Sequence, residues 1–246
     1  MEQAKYDITE IYNHYLRNND KINQVKRKSD SNGKFSASSA GLCVRKHWFE
    51  QLDYLKDPIN PKSLRNMNTG TILGADVEKA LKMYRFEDGS KVYTEEYIHH
   101  SKYNIGGHFD ILIVDPNNKG HLIDIKTAHS YKFSTLFGRK KDPNPATNYA
   151  FQLGTYAWIL NDTKKLCDEV VYMENVYFNK NDANMKNLRV PLEFIDFAEE
   201  YWLTVEDNKN EKPALNNMVP MYTWECNYCQ YASHCDSPHI KSKKRK

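Results

Sequence analysis

The sequence predicts an α/β fold around a central mixed sheet, in the order helix, three strands, helix, strand, with helical flanks. Three observations predict it. Between Asn68 and Phe86 the apolar residues Ile72, Leu73, Val77, Ala80, Leu81 and Tyr84 recur at helical spacing. From Val92 to Thr127 the pattern becomes that of strands, with Pro116-Asn-Asn-Lys-Gly120 as the turn between two apolar runs. Tyr149 to Leu160 is then a strongly apolar helix, and Val170 to Phe178 is the strand that follows it.

Each element has its own signal. Residues 5 to 28 read as a helix with Ile8, Ile11, Tyr12, Tyr15 and Leu16 on one face, ended by the polar break Ser29 to Lys34. Ser36 or Ser38 can cap a second helix over Ser39 to Leu55, with Leu42, Trp48, Phe49 and Leu52 apolar and Cys43 and Arg45 in its first turns. Pro58 and Pro61 break the chain before the third helix, in which Glu78 is the notable polar residue. Val92 to His100 is the first strand, and the hairpin that follows supplies the second and third. Ser130 to Pro145 is a polar, basic, proline-containing loop of the length that covers or feeds a site. In the apolar helix, Gln152 and Tyr156 stand four apart and share a face. Met185 to Val190 adds an edge strand before a last helix from Pro191 or Leu192 to about Asn208.

A chain of 246 residues suits one well-buried domain with appendages, and its 40% apolar and 27% charged residues are ordinary for a globular protein. A net charge of +3 is too small to argue for nucleic acid by itself, but Lys26-Arg27-Lys28, Arg139-Lys140-Lys141 and the tail Lys241 to Lys246 are local basic clusters. The tail reads as solvated and disordered. No signal peptide or membrane span is seen, so the expected setting is a reducing cytoplasm, that of the host if the gene is phage-borne. The five cysteines, an odd count, then argue against a disulfide framework and towards metal or reactive thiols.

Chemistry concentrates in Gly106 to Thr127. Asp124 and Lys126 lie two apart on one strand, so a carboxylate and an ammonium project from the same face. If the hairpin closes through a three- or five-residue loop, such as Asp115 to Lys119, Asp110 falls opposite Asp124 and shares that face. Two such carboxylates make a site for Mg2+ or Mn2+, hard ions that can lower the pKa of a water and neutralise charge on a phosphate. Lys126 would orient that water or stabilise the charge that develops. A surface ion pair gives the same Asp-x-Lys spacing, so the spacing alone is weak evidence.

The second constellation is Cys226, Cys229 and Cys235, a C-x2-C followed by a third cysteine. Thiolates at that spacing wrap a metal centre, and Cys43 is the candidate fourth ligand. Such a site would staple the N-terminal helix to the C-terminal segment and add to folding free energy. Four thiolates fit a [4Fe-4S] cluster or a structural Zn2+, and His234 and His239 keep a mixed zinc site open. Cys167 reads as a small buried hydrophobe.

With both constellations in hand, residues 36 to 235 resemble a RecB-like member of the PD-(D/E)XK nuclease superfamily, in the branch with a four-cysteine iron-sulfur staple. CRISPR-associated RecB-like exonucleases and the AddB nuclease domain belong to that branch. Gly107-His-Phe-Asp110 matches the family's G-x-x-D, Asp124-Ile-Lys126 its (D/E)-x-K, Gln152-Leu-Gly-Thr-Tyr156 its Q-x-x-x-Y, and Cys43, Cys226, Cys229 and Cys235 its cluster ligands. The resemblance implies a restriction-endonuclease-like αβββαβ core. It implies an N-terminal extension over 1–35, a nuclease domain over 36–236 closed by the cluster, and a basic tail over 237–246. Asp110 and Asp124 are then metal ligands, Lys126 the catalytic lysine, and Gln152 and Tyr156 lie beside the site and touch DNA together with Arg139, Lys140 and Lys141.

One departure stands out. Where the family carries a histidine in G-x-x-x-H, this chain has Gly74 after Gly70, and Glu78 one turn on can complete the oxygen shell, with Asp76 and His108 as weaker candidates. The function implied is an Mg2+- or Mn2+-dependent exonuclease on single-stranded DNA or DNA ends, in recombination, repair or CRISPR-like processing, with a possible protein partner in a recombination or CRISPR adaptation complex. The gap at Gly74 keeps a second class open, a DNA-binding or assembly subunit of a nuclease complex. A zinc-stabilised RNA-binding module is a third, which leaves the hairpin without a purpose.

Overall fold

The computed structural model describes residues 7–30, 35–139, 141–142, 146–216 and 218–240. Lys140, the segment 31–34, the tail Lys241 to Lys246 and the side chains of Lys26, Arg27 and Lys28 lie outside the described residues. The chain runs α1 (Ile8–Asp30), β1 (Phe35–Ser36), α2 (Val44–Gln51), α3 (Pro61–Met83), β2 (Lys91–Thr94), β3 (Tyr97–His100), β4 (Ile105–His108), β5 (Ile111–Val114), β6 (Lys119–Ala128), α4 (Ser130–Phe137), α5 (Asn148–Thr163), β7 (Glu169–Asn179), β8 (Met185–Val190) and α6 (Phe194–Asp207).

The central sheet has the order β2-β5-β6-β7-β8 and is mixed: β6 and β7 run parallel, joined across α5, and every other pair is antiparallel. A second sheet, β1-β4-β3, grows out of the first. The expected single strand Val92 to His100 is a ribbon that bends. Lys91 pairs with Val114 and Tyr97 with His108 in one continuous register, but the ladder is interrupted between Thr94 and Tyr97. Glu95 sits at that bend with a left-handed φ of 54°, uncommon for a residue with a side chain, and its N–H still donates to the Asp110 carbonyl at 3.2 Å.

Several boundaries differ from expectation for local reasons. Pro61 does not break the third helix but opens it, with Asn60 capping the Ser63 N–H at 2.9 Å. Ser36 and Ser38 bond each other at 2.8 Å instead of capping, and α2 begins only at Val44. The loop expected from Ser130 starts as α4, because Phe133 buries against Ala128 and Tyr177. β1 contains Phe35, so the strand crosses the domain boundary expected at 35/36, and Ser237, just past 236, is buried rather than part of a free tail. Of the α1 face only Leu16 is buried, while Ile8, Ile11 and Tyr15 stay exposed. No described helix is long and apolar enough to cross a membrane.

The helix that positions everything else is α5. It is buried without interruption from Gln152 to Leu160, as expected of a helix apolar on all sides. One side faces the sheet and the other meets α6 so closely that a Cβ on Gly154 would lie 2.0 Å from the Phe194 carbonyl oxygen. Gly154→Ala must force the two helices apart, and we expect it to destabilise the fold by about 3 kcal/mol, read as a lower urea midpoint at unchanged slope.

Candidate active site

β-sheet register builds the site. Ile111 pairs with Ile123 and Val114 with Gly120 across the five-residue connection 115–119, so continuing the ladder one step sets Asp110 opposite Asp124. The β2–β5 register, continued in the same way, sets Glu95 opposite Asp110. Asp124 in turn pairs with Asn175 of β7. Glu95, Asp110, Asp124 and Asn175 therefore form one row across four strands. Glu95 was not singled out from sequence, although counting register through the β3–β4 turn would have found it.

The carboxyls of the row raise one another. Asp124 is 1% exposed, and burial, then Asp110, push its carboxyl above the usual range against the pull of Lys126. Glu78, reaching from α3, is pushed up to about 7 by desolvation, by Glu95, with which it shares a hydrogen bond, and by Asp110. Glu95 is raised as well, by desolvation and by Asp110. The Glu78 carboxyl oxygen comes within 3.9 Å of where a Cβ of Gly74 would stand, so the glutamate occupies space that a larger residue at 74 would contest. Asp76 is exposed on α3, and His108 is exposed with its ring 5.1 Å from that of Tyr97.

Behind the row, α5 locks the catalytic candidates together. Gln152 donates through Nε2 to Asp124 Oδ1 at 3.0 Å and accepts from Lys126 Nζ at 3.0 Å. Lys126 Nζ lies 2.6 Å from Asp124 Oδ2, a buried oxygen that accepts no aligned hydrogen bond. The Tyr149 ring covers Nζ at 4.4 Å. Burial disfavours the ammonium, but Asp124, Tyr149 and Asp110 outweigh it and hold Lys126 above the ordinary lysine value. Asp110 Oδ2 accepts the Ile125 N–H at 2.7 Å, tying the two strands at the row.

Gln152 and Tyr156 are 7% and 2% exposed and offer no face on which a base can stack. Tyr156 instead fits against the sheet: a Cβ on Gly107 would lie 3.0 Å from its hydroxyl, so the glycine of one motif makes room for the tyrosine of the other. Arg139 and Lys141 are exposed, and Tyr131 at the start of α4 is 82% exposed.

The four cysteines singled out from sequence line one cavity of about 140 Å³, with Arg45, Lys46 and Glu225. Cys43 precedes α2, and the backbone N–H groups of Arg45 and Lys46 point at its sulfur. The buried Glu225 carboxylate accepts the Cys43 N–H at 2.8 Å and the Tyr222 N–H at 2.9 Å, joining the two ends of the chain. The Tyr231 N–H donates to Cys229 Sγ, the Ser237 hydroxyl lies 3.4 Å from Cys226 Sγ, and Arg45 Nη1 donates to Cys235 Sγ. Burial pushes the Cys43 thiol up to about 12. All five cysteines are free, and Cys167 is buried elsewhere, against Gly120. Among the described residues no three ligand side chains converge tightly enough to grip an ion as they stand.

A sequence model described as the PD-(D/E)XK nuclease superfamily matches residues 38–236. No curated protein matches the chain. Among solved structures, that of SSO0001 is similar over 92% of this chain and 96% of its own, at 18% identity and a TM-score of 0.58, a likeness of fold. LHK-Exo in complex with dAMP, at 19% identity over 72% of this chain and 88% of its own, and a putative exonuclease from Eubacterium rectale, at 11% over 96% and 94%, both align at a TM-score of 0.44.

Proposed function

From the premise that the chain belongs to the PD-(D/E)XK nuclease superfamily, a family whose members use Mg2+ or Mn2+ on DNA, we propose that it hydrolyses DNA at the row Glu95, Asp110, Asp124 with Lys126, working from strand ends. The observation that carries this is that Glu78, Glu95, Asp110 and Asp124 lie near enough to raise one another's carboxyls, beside one buried lysine. Like charges held this close raise one another's pKa unless a cation joins them, so the residues present fit a divalent ion.

Asp110 and Asp124 would hold that ion, with Glu78 as the third ligand. When bound, it supplies a nucleophile at neutral pH and offsets charge on the phosphate. Lys126 stays protonated at working pH, so it serves as a donor: it orients the attacking water or meets the charge that develops on the scissile phosphate. Gln152 fixes Asp124 and Lys126 relative to each other and is a positioning residue; Tyr156 packs behind it. Tyr131, Arg139 and Lys141 follow the active strand directly and offer stacking and phosphate contacts to a single strand. The four thiols of the cavity are the donor set of a [4Fe-4S] cluster, with a structural Zn2+ as the alternative. Its role is to close the fold.

The test is degradation of labelled linear and circular single-stranded and duplex DNA by anaerobically purified protein with Mn2+ or Mg2+. Loss of the linear single strand with circles intact is expected. Cleavage of circles would replace the end-directed reading with an endonuclease, and no cleavage of any substrate would favour a DNA-binding subunit.

A pH dependence follows. Without metal, Glu78 holds its proton more tightly folded than unfolded, so its contribution to stability is full below about 4.5 and lost as pH rises through about 7. A divalent ion must displace that proton. Mn2+ should therefore raise the melting temperature several-fold more at pH 8 than at pH 5.5, as measured by thermal unfolding with and without the ion.

A further inference from the structure

Arg45 is a buried cation that the nuclease reaction does not use. It is 6% exposed, lines the thiol cavity from the first turn of α2, and spends its fork on three partners. Nε donates to the Pro213 carbonyl, and Nη1 donates to Asp236 Oδ1 at 2.5 Å and to Cys235 Sγ at 3.6 Å. An ordinary surface pair with Asp236 would not need this burial. The Asp236 side chain is 67% exposed and already meets Lys212 at 3.1 Å, whereas Arg45 is drawn inward to the sulfur. Burying a guanidinium is costly unless it is paired, and four thiolates around one cofactor leave a negative charge for it to face. Of the other charged groups at the cavity, Lys46 adds to that field and Glu225 opposes it.

We propose that Arg45 is a positioning residue for the cofactor of this cavity: it donates to the Cys235 sulfur, fixes that cysteine to α2, and sets how readily the cofactor is reduced and how slowly iron is lost. The proposal rests on the iron-sulfur reading above. A hydrogen bond and a positive charge at a ligand sulfur favour the state with the extra electron, so they raise the reduction potential. By tying Cys235, Asp236 and Pro213 to α2, the same fork resists opening of the site.

The experiment is redox titration of the visible and electron paramagnetic resonance signals of the whole protein, with the rate of iron loss to a chelator, for wild type, Arg45→Gln, Arg45→Lys and Asp236→Asn. Arg45→Gln should shift the reduced-to-oxidised ratio at fixed potential about tenfold towards oxidised, 59 mV for one electron, and lose iron about tenfold faster. Arg45→Lys should fall between the two. Asp236→Asn, a change at an exposed side chain, should shift the ratio the opposite way, since it removes an anion and leaves the Arg45 donor in place. If Arg45→Gln fails to fold, Arg45→Lys decides, and a ratio and rate of iron loss equal to wild type there overturn the proposal. Equal ratios and equal iron loss in Arg45→Gln and wild type also overturn it. Wild type that binds no iron removes the cluster reading itself, a failure distinguishable from that of Arg45.

Discussion

Lys126→Ala lowers the rate of DNA cleavage by about a thousandfold or more while the protein still folds. The size follows from the role proposed for the ammonium: a donor pre-set in a dry site is worth roughly 10²–10³ in rate, and here its loss also frees the buried Asp124 carboxylate from its nearest partner. Asp124→Asn should be at least as damaging to cleavage, because the amide keeps its shape and its contact with Gln152 but no longer offers an anionic ligand. The comparison of the two separates loss of the donor from loss of the ligand. Cleavage of end-labelled DNA with Mn2+ measures the rates, and thermal unfolding confirms that both variants are folded. A Lys126→Ala enzyme within a fewfold of wild type would remove the lysine from the mechanism.

If the thiol cavity holds the proposed cluster, Cys226→Ser removes it and much of the stability. The N-terminal and C-terminal segments meet at the thiol cavity, and also through Glu225 on the Cys43 N–H and through the Arg45 fork on Pro213 and Asp236, contacts that the change leaves in place. Binding at a structural metal site is folding free energy, and for a chain of this length 1 kcal/mol is worth roughly 2–4 °C, so a loss of several kcal/mol lowers the melting temperature by about 10 °C or more. Cys167→Ser is the control. Its sulfur packs against Gly120, far from the cavity lining, so iron content should be unchanged. Iron analysis and thermal scans on anaerobic protein check both; full iron in Cys226→Ser would contradict the ligand assignment.

The parts of this site that were legible in the sequence are those fixed by short-range counting. Strand alternation puts Asp124 and Lys126 on one face, and a three- or five-residue hairpin loop puts Asp110 opposite Asp124; the loop has five residues, 115–119, and the register follows. Helical spacing placed Gln152 and Tyr156 on one face of α5. What it did not convey is which way that face looks: both residues point into the core and support the row from behind, because α5 is buried on every side. Glu95 escaped notice because Glu95 and Glu96 are alike in pattern, and only a bend in the ribbon and a second register bring Glu95 to Asp110. β1 is a two-residue strand, and β4 carries two glycines, so neither shows a strand's apolar alternation. Pro61 opens α3 where the pattern alone suggests a break, since proline both ends helices and starts them, and the Asn60 side chain that caps Ser63 marks the start.

Anomalous scattering from crystals of the protein grown with Mn2+ tests most directly whether the carboxylate row is a cation site. A peak beside the carboxylates of Asp110 and Asp124, the residues that would hold the ion, is the predicted result. A row without a peak in crystals that take up Mn2+ elsewhere, or a peak that survives unchanged in Asp124→Asn, would contradict it.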